Sequence, residues 1–382
     1  MKKVGLFTFH RARNIGTSLQ AYALQKYLET CGEMVEIVDY RPWYIEESFG
    51  IFIKSLYKKS RNSIKGIIIF WIKTILRMPF AARREYNFKT FWKENFRISE
   101  KSYGTYEELQ NTELDYTHCV YGSDQIWNPD LTEGIDNVYF GMFNSGIIHF
   151  SYAASIGKDK LKDGEVEKII DGINNLSFVG VREKSAKAAL KRKYNGDIQI
   201  NIDPTLLLEK KEWMKFIKEN PIKSEYVFVY VLEKNQELIE VAKTIAEQEN
   251  LKIVFLDLKN YFGKRGISKY TAGPSEFLNY IYHAKYVITN SFHGTVFSII
   301  FHKQFFSIPF QERGTRVVDL LEMLGISERI IYKKDEMYDI KQHIDYENVE
   351  KRIEDNRECS RKYIINALGM ESINAKREKT CF

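Results

Sequence analysis

The sequence predicts an α/β protein built from two doubly wound, Rossmann-like domains that face each other across a cleft. Three observations carry this. Short β-rich apolar runs alternate with amphipathic helical stretches along nearly the whole chain, the pattern of parallel strands joined by helical crossovers. Polar loops rich in Gly, Ser, Asn and His follow the predicted strands, at the ends where open α/β sheets bind ligands. The 382 residues exceed what one hydrophobic core usually serves, so the alternation divides into two halves. With 44% apolar residues, 7 Pro and no low-complexity tract, the composition is that of a globular chain rather than a disordered one.

The N-terminal domain is expected over residues 1–208. KVGLFTF (Lys3–Phe9) is a buried strand, Leu19, Ala23, Tyr27 and Leu28 recur at helical spacing up to Gly32, and VEIVDY is a second strand. Residues 49–97 read as an inserted, amphipathic helical region. Its longest apolar run, GIIIFWI, is far short of the ~20 residues that span a bilayer. Between Trp43 and Arg97 twelve Lys or Arg face four Asp or Glu, so the formal charge of +6 is concentrated there. Strands follow in HCVYG, HFSYAASIG, FVGV and IQINIDP, and a helix over 209–220 joins the halves. The C-terminal domain, residues 221–345, alternates the strands YVFVYVL, KIVFLDL, YVITN and QFFSIP with helices at 235–249, 275–283, 294–301 and 315–324. A charged helix over 346–369 lies in the closing segment, 346–382.

Four loops carry chemistry. In NIGTSLQAYAL, Gly16, Thr17 and Ser18 open a helix whose free N–H groups and dipole favour an anion; a plain Thr/Ser N-cap accounts for the same residues. In YGSDQIWNP, Asp124 can accept hydroxyl protons and Trp127 can stack on a sugar face, or the loop is a hydrogen-bonded staple. In VGVREKS, Arg182 ends a strand and offers a fork for phosphate or carboxylate, or an ion pair with Glu183 or Asp203. In TNSFHGT, His293 sits at a strand-to-helix turn as a proton carrier, beside Gly294, which admits a ligand close to the backbone, and Thr295, which can cap the helix. Downstream are Arg313 and Arg316; a cation in the first turn of a helix, as Arg316 is, opposes the dipole and needs another partner.

No GxGxxG follows the first strand, and GxxxxGK[ST], HExxH and paired cysteines are missing, so dinucleotide, P-loop and metal chemistry are not indicated. Cys31, Cys119, Cys359 and Cys381 show no metal spacing, and the N-terminus reads as a strand rather than a leader. Reduced thiols in a cytosolic protein are the expectation.

Together NIGTSLQAYAL, GSDQIWNP, SYAASIG, REKSA, DPTLLL and TNSFHGTVFSIIFHKQF, in this order over residues 3–324, resemble the polysaccharide pyruvyl transferase family. The resemblance implies a GT-B-like fold and transfer of the enolpyruvyl unit of phosphoenolpyruvate onto a saccharide, as a ketal, in exopolysaccharide or cell-surface glycan synthesis. Phosphoenolpyruvate is then a co-substrate, with no resident cofactor, and the need for a divalent ion stays open. His293 becomes the general acid/base and Arg182 the anion clamp, with Asp124 as a third catalytic residue. Gly16, Thr17, Ser18, Asn290, Ser291, Gly294, Thr295, Arg313 and Arg316 become donor-binding. Asn14, Gln125, Trp127 and Asn128 become acceptor-binding. Some relatives carry an Arg two residues before the His; here that position is Ser291, so the cation must come from elsewhere, with Arg316 and Arg313 ahead of Lys303.

On the same resemblance the basic region rests on anionic lipid at the inner membrane face, where acceptors are carried on polyprenyl diphosphate. A packed helical pair with a solvated basic face is the alternative. Nucleic acid is not an expected partner. A GT-B glycosyltransferase using a nucleotide-sugar and a non-catalytic sugar-binding protein remain open beside the transferase.

Overall fold

The protein is described here as a computed structural model, covering residues 2–48, 63–143, 146–158, 160–233, 235–257, 266–310, 314–332 and 339–370. Its strands are β1 (Lys3–Phe7), β2 (Met34–Tyr40), β3 (Ile98–Tyr103), β4 (His118–Tyr121), β5 (Ile148–Ser151), β6 (Gly180–Val181), β7 (Gln199–Ile200), β8 (Tyr226–Val231), β9 (Lys252–Asp257), β10 (Ile267–Ser268), β11 (Tyr286–Thr289) and β12 (Gln304–Ser307). Its helices are α1 (Ile15–Thr30), α2 (Trp43–Ser48), α3 (Ile64–Asn95), α4 (Tyr106–Gln110), α5 (Asp163–Ile173), α6 (Lys184–Lys191), α7 (Lys210–Met214), α8 (Gln236–Gln248), α9 (Pro274–His283), α10 (Phe292–Ile300), α11 (Thr315–Leu324) and α12 (Tyr346–Ala367).

Two five-stranded parallel sheets have the orders β3-β2-β1-β4-β5 and β10-β9-β8-β11-β12. Each half therefore reverses its winding between its first and fourth strands, and open sheets bind ligands at that reversal. β6 and β7 extend the first sheet, joined to its edge by the bridges Phe150–Phe178 and Ala154–Val181. The apolar runs explain the layering. Every residue of β8 is buried, as a central strand covered on both faces requires.

The two halves are packed together, not merely tethered. Trp213 on α7, fully buried, meets Phe297 of α10 edge-on at 4.8 Å and Tyr22 of α1 at 5.6 Å. One apolar cluster runs through these residues from β1 and α1 to α9, α10 and α11. The connecting helix is shorter than the expected 209–220, ending at Met214. α12 crosses back onto the first half: Arg357 Nε donates to Leu206 O at 2.7 Å, Tyr363 OH to Ser151 O at 2.7 Å, and Ser360 Oγ accepts from Ile202 N at 3.0 Å.

The expected insertion over 49–97 is corrected. β3 pairs in parallel with β2, so α3 is the crossover between them rather than an interruption. Its last turns bury Phe88, Phe91 and Trp92, while Ile68, Ile72 and Ile75 near its start face outward. Residues 49–62 lie outside the described residues. β3 escaped the sequence reading because ISEKSY is a polar edge strand without the apolar alternation sought. The thiols divide: Cys31 and Cys119 are free, whereas Cys359 is engaged in a disulfide, against the expectation that it is reduced.

Trp213→Ala should destabilise the protein by about 3–5 kcal/mol, since a large buried aromatic at a three-way junction cannot be replaced by local collapse. A denaturant melt checks this; an unchanged midpoint would mean that the halves are held elsewhere.

Candidate active site

The site starts at the ends of β6 and β7, where Val181 and Ile200 are in register. Arg182 directly follows β6, and it meets Asp203, three residues beyond the end of β7. Arg182 Nη1 donates to Asp203 Oδ2 at 2.7 Å and to Ser123 Oγ at 3.4 Å. The other carboxylate oxygen of Asp203 accepts from Thr205 N at 3.0 Å and Thr205 Oγ1 at 2.6 Å. From the second half, His293 in the first turn of α10 places Nε2 3.6 Å from the same Oδ2. Burial alone would raise the Asp203 pKa, but His293, Arg182 and Thr205 hold the carboxyl well below the usual range. His293 also packs on the start of α1: a Cβ on Gly16 would overlap its imidazole, so glycine is required there for close approach.

That contact corrects the reading of α1 as an anion site. Gly16 N and Thr17 N are both taken by Asn14 Oδ1, at 2.9 and 3.4 Å, and Ser18 N donates to Asn14 O. Thr17 donates its hydroxyl to Asp124, and Ser18 Oγ accepts from Trp92 Nε1 at 3.0 Å. Asn14 is thus an N-cap, and the backbone N–H groups of Gly16, Thr17 and Ser18 are taken within the chain.

The 121–129 loop takes its stapling alternative. Trp127 is fully buried, stacked on Phe140 at 5.2 Å, with Nε1 donating to Tyr139 O at 3.2 Å; no face remains for a sugar. Asn128 Nδ2 donates to Gln125 Oε1 at 2.7 Å, and Asn128 Oδ1 accepts from Asp130 N. Asp124 accepts from Thr17 and from Gln125 N at 2.8 Å, so both its oxygens are engaged. At α10, Ser291 Oγ takes Gly294 N at 3.3 Å, and Thr295 bonds Ser291 O and Ser307 Oγ. Asn290 ties Leu232 N and Glu233 O, at 2.9 and 2.8 Å, to the end of β11. Gly294, Thr295, Ser291 and Asn290 thus build the turn. Lys303 Nζ donates to Tyr282 O, and Arg313 lies outside the described residues.

A cavity of about 470 Å³ opens between the first half, α11 and α12, lined by Arg182, Glu183, Asn201, Asp203, Phe292 and Arg316 among others. His293 does not line it; Asp203 does. The guanidinium carbons of Arg182 and Arg316 lie 4.9 and 5.8 Å from the ring centre of Phe292. Burial, reinforced by Arg182, pushes the Arg316 pKa down to about 10, leaving it charged at neutral pH. Among the described residues Arg316 has no hydrogen bond or ion pair.

Buried polar atoms without partners gather here: Nε and Nη2 of Arg182, Nε of Arg316, Oε2 of Glu183 and both amide atoms of Asn201. Each such atom costs on the order of 1–3 kcal/mol while unmet, so their concentration marks a place that a ligand completes. Sequence reasoning placed Arg182, His293 and Arg316 as candidates. It missed Asn201, and gave Glu183 and Asp203 only as structural partners of Arg182. The strings REKSA and NIDPT, polar residues at two strand ends, were the available signal. The wall supplied by α12, including Arg352 and Asn356, had none.

The depressed pKa of Asp203 makes its stabilising contribution present above about pH 4, the unfolded value, and lost as pH falls below it. Asp203→Asn should therefore lower stability at neutral pH, with the gap to the wild type closing on acidification. Urea melts across acid pH check both parts.

The sequence profile of the polysaccharide pyruvyl transferase family matches residues 14–311, which include all of these loops. A search of curated proteins gives no significant match. Among solved structures, MnaA of Staphylococcus aureus with UDP is similar at 11% identity and a TM-score of 0.50, with 100% of each chain covered. UDP-GlcNAc 2-epimerase of Methanocaldococcus jannaschii, with UDP-GlcNAc and UDP, is similar at 14% identity and a TM-score of 0.50, covering 96% of this chain and 99% of that one. Likeness at such identity shows the fold alone, two Rossmann-like domains in the GT-B arrangement. With most of its length matched by the family profile, the chain belongs to the polysaccharide pyruvyl transferase family and is a transferase.

Proposed function

We propose that this protein moves the enolpyruvyl unit of phosphoenolpyruvate onto a saccharide in exopolysaccharide or cell-surface glycan synthesis. One observation carries the reading: two guanidiniums, Arg182 and Arg316, flank Phe292 at one cavity with N–H groups unmet. Asp203 meets one nitrogen of Arg182 but leaves its Nε and Nη2, and Nε of Arg316, for a further anion. Phosphoenolpyruvate brings a phosphate and a carboxylate, one for each fork. Arg316 supplies the cation that Ser291 does not. Asp203, which lines the cavity with His293 behind it, relays from the imidazole the proton that converts the methylene carbon to a methyl. A sugar hydroxyl attacks the neighbouring carbon, phosphate leaves, and a second hydroxyl closes the ketal; one hydroxyl proton replaces the proton given to the methyl, and the other leaves with phosphate.

Incubation with phosphoenolpyruvate and saccharides should release phosphate, while nucleotide-sugars should release no nucleotide. The opposite result would favour the glycosyltransferase reading. Arg316→Ala should weaken phosphoenolpyruvate binding by about ten- to a hundredfold, the loss of one charge-assisted interaction, as read by calorimetry.

An acceptor carried on polyprenyl diphosphate would be met at a membrane, and α3 suits an anionic surface. No described helix is long and apolar enough to cross a bilayer. Residues 63–84 hold five Lys or Arg and no Asp or Glu. Ile68, Ile72 and Ile75 form a stripe at helical spacing with Ile75 61% exposed, while Phe70 and Ala81 on the opposite face are buried. An apolar stripe turned outward among cations fits the interface of an anionic bilayer, each basic residue contributing about 1 kcal/mol. A second copy of the chain would set these cations against each other. The protein should float with phosphatidylglycerol-containing vesicles, and Ile72→Gln with Ile75→Gln should abolish flotation; a dimer that dissociates on the same change would replace lipid by self-association. Lys58, Lys59 and Arg61 lie outside the described residues.

A further inference from the structure

The unmet atoms around the cavity are of two kinds, and the two kinds cannot share one ligand. Arg182 and Arg316 present donors. Glu183 presents an acceptor: its Oε1 is occupied by the Ser155 hydroxyl and by Gly157 N at 3.4 Å, but its Oε2 has no partner although the residue is only 2% exposed. Asn201, 1% exposed, presents one acceptor and two donors, with neither amide atom partnered. Both residues line the cavity. Both are fixed by the strand ends that fix Arg182: Asn201 N donates to Val181 O at 2.8 Å, and Gly180 has no side chain because a Cβ would overlap Asn201 Oδ1.

An ionised phosphate-carboxylate donor has only acceptor atoms. It can complete the two guanidiniums, but it would repel Glu183 and leave Asn201 Oδ1 unmet. What satisfies a buried carboxylate oxygen and a primary amide together is a set of neutral hydroxyls, each both donor and acceptor. We infer that Glu183 and Asn201 form a hydroxyl-binding subsite, distinct from the guanidinium subsite, that holds the diol of a neutral sugar beside the anionic donor. This inference rests on the proposed function and adds the residues that read the acceptor. Glu183 and Asn201 line the same cavity as Arg182 and Arg316, so a hydroxyl bound there shares one hollow with the anion. The acceptor thus enters over the β6–β7 strand ends, between α11 and α12, and not over the 121–129 loop.

The test uses the full chain and two measurements. Calorimetry reads phosphoenolpyruvate binding. Saturation-transfer NMR, with phosphoenolpyruvate present, reads the methyl glycosides of glucose, galactose, mannose and N-acetylglucosamine. Glu183→Gln keeps an acceptor oxygen for Ser155 and Gly157 and removes the charge. It should weaken sugar binding by about tenfold or more, the loss of a charge-assisted bond, while phosphoenolpyruvate binds equally well or more tightly. Asn201→Ala should weaken sugar binding and leave phosphoenolpyruvate unchanged. Retained anion binding also shows that each variant is folded. Sugar binding that survives both changes overturns the inference, as does a wild type that binds phosphoenolpyruvate but none of the four sugars. A wild type that binds no phosphoenolpyruvate defeats the proposed function first.

Discussion

One buried carboxylate organises this molecule. Asp203 faces a guanidinium from its own half at 2.7 Å and an imidazole from the other half at 3.6 Å, through the same oxygen. A charge so deep is tolerable only when compensated, so the fold must bring Arg182 and His293 to it. The relation of the two halves follows. His293 can reach Asp203 only if α10 approaches the start of α1, and Gly16 leaves that space open. Trp213 then fills the apolar side of the same junction, against Tyr22 and Phe297. Polar pairing sets the direction of approach and apolar burial holds it.

The cavity beside this carboxylate is less complete than its surroundings. Its neighbours, the 121–129 loop and the first turns of α1 and α10, satisfy their polar groups internally. Arg182, Arg316, Glu183 and Asn201 do not. Proteins seldom bury polar atoms unmet, so the contrast separates scaffold from site more sharply than polarity does. The mixture of donors and acceptors suits a reaction that joins an anion to a polyol, with the charged and neutral partners held on different atoms of one hollow.

Polar loops at strand ends were legible in the sequence, but their employment was not. Asp124, Gln125, Trp127 and Asn128 attract attention because such residues are costly at a strand end unless used. They are used, on each other, on Thr17 and on the ring of Phe140. Asn14 and Ser291 cap helices, which their residue types allow as readily as ligand binding. Whether a hydroxyl or amide meets the backbone or a substrate depends on atoms tens of residues away, and local sequence does not hold that information.

The sequence by itself determined the α/β class, the division into two halves, most strand and helix positions, and the family through its ordered loops. These are encoded locally, in apolar periodicity and in short strings. Tertiary structure alone decided that α3 is a crossover rather than an insertion, because β3 is recognised by pairing with β2 and not by its polar composition. It alone brought α12 back to wall the cavity, through bonds between residues such as Arg357 and Leu206 that stand far apart in the chain. It alone paired Arg182 with Asp203 and left Arg316 without a partner among the described residues, since desolvation and ion pairing are properties of a place and not of a residue type.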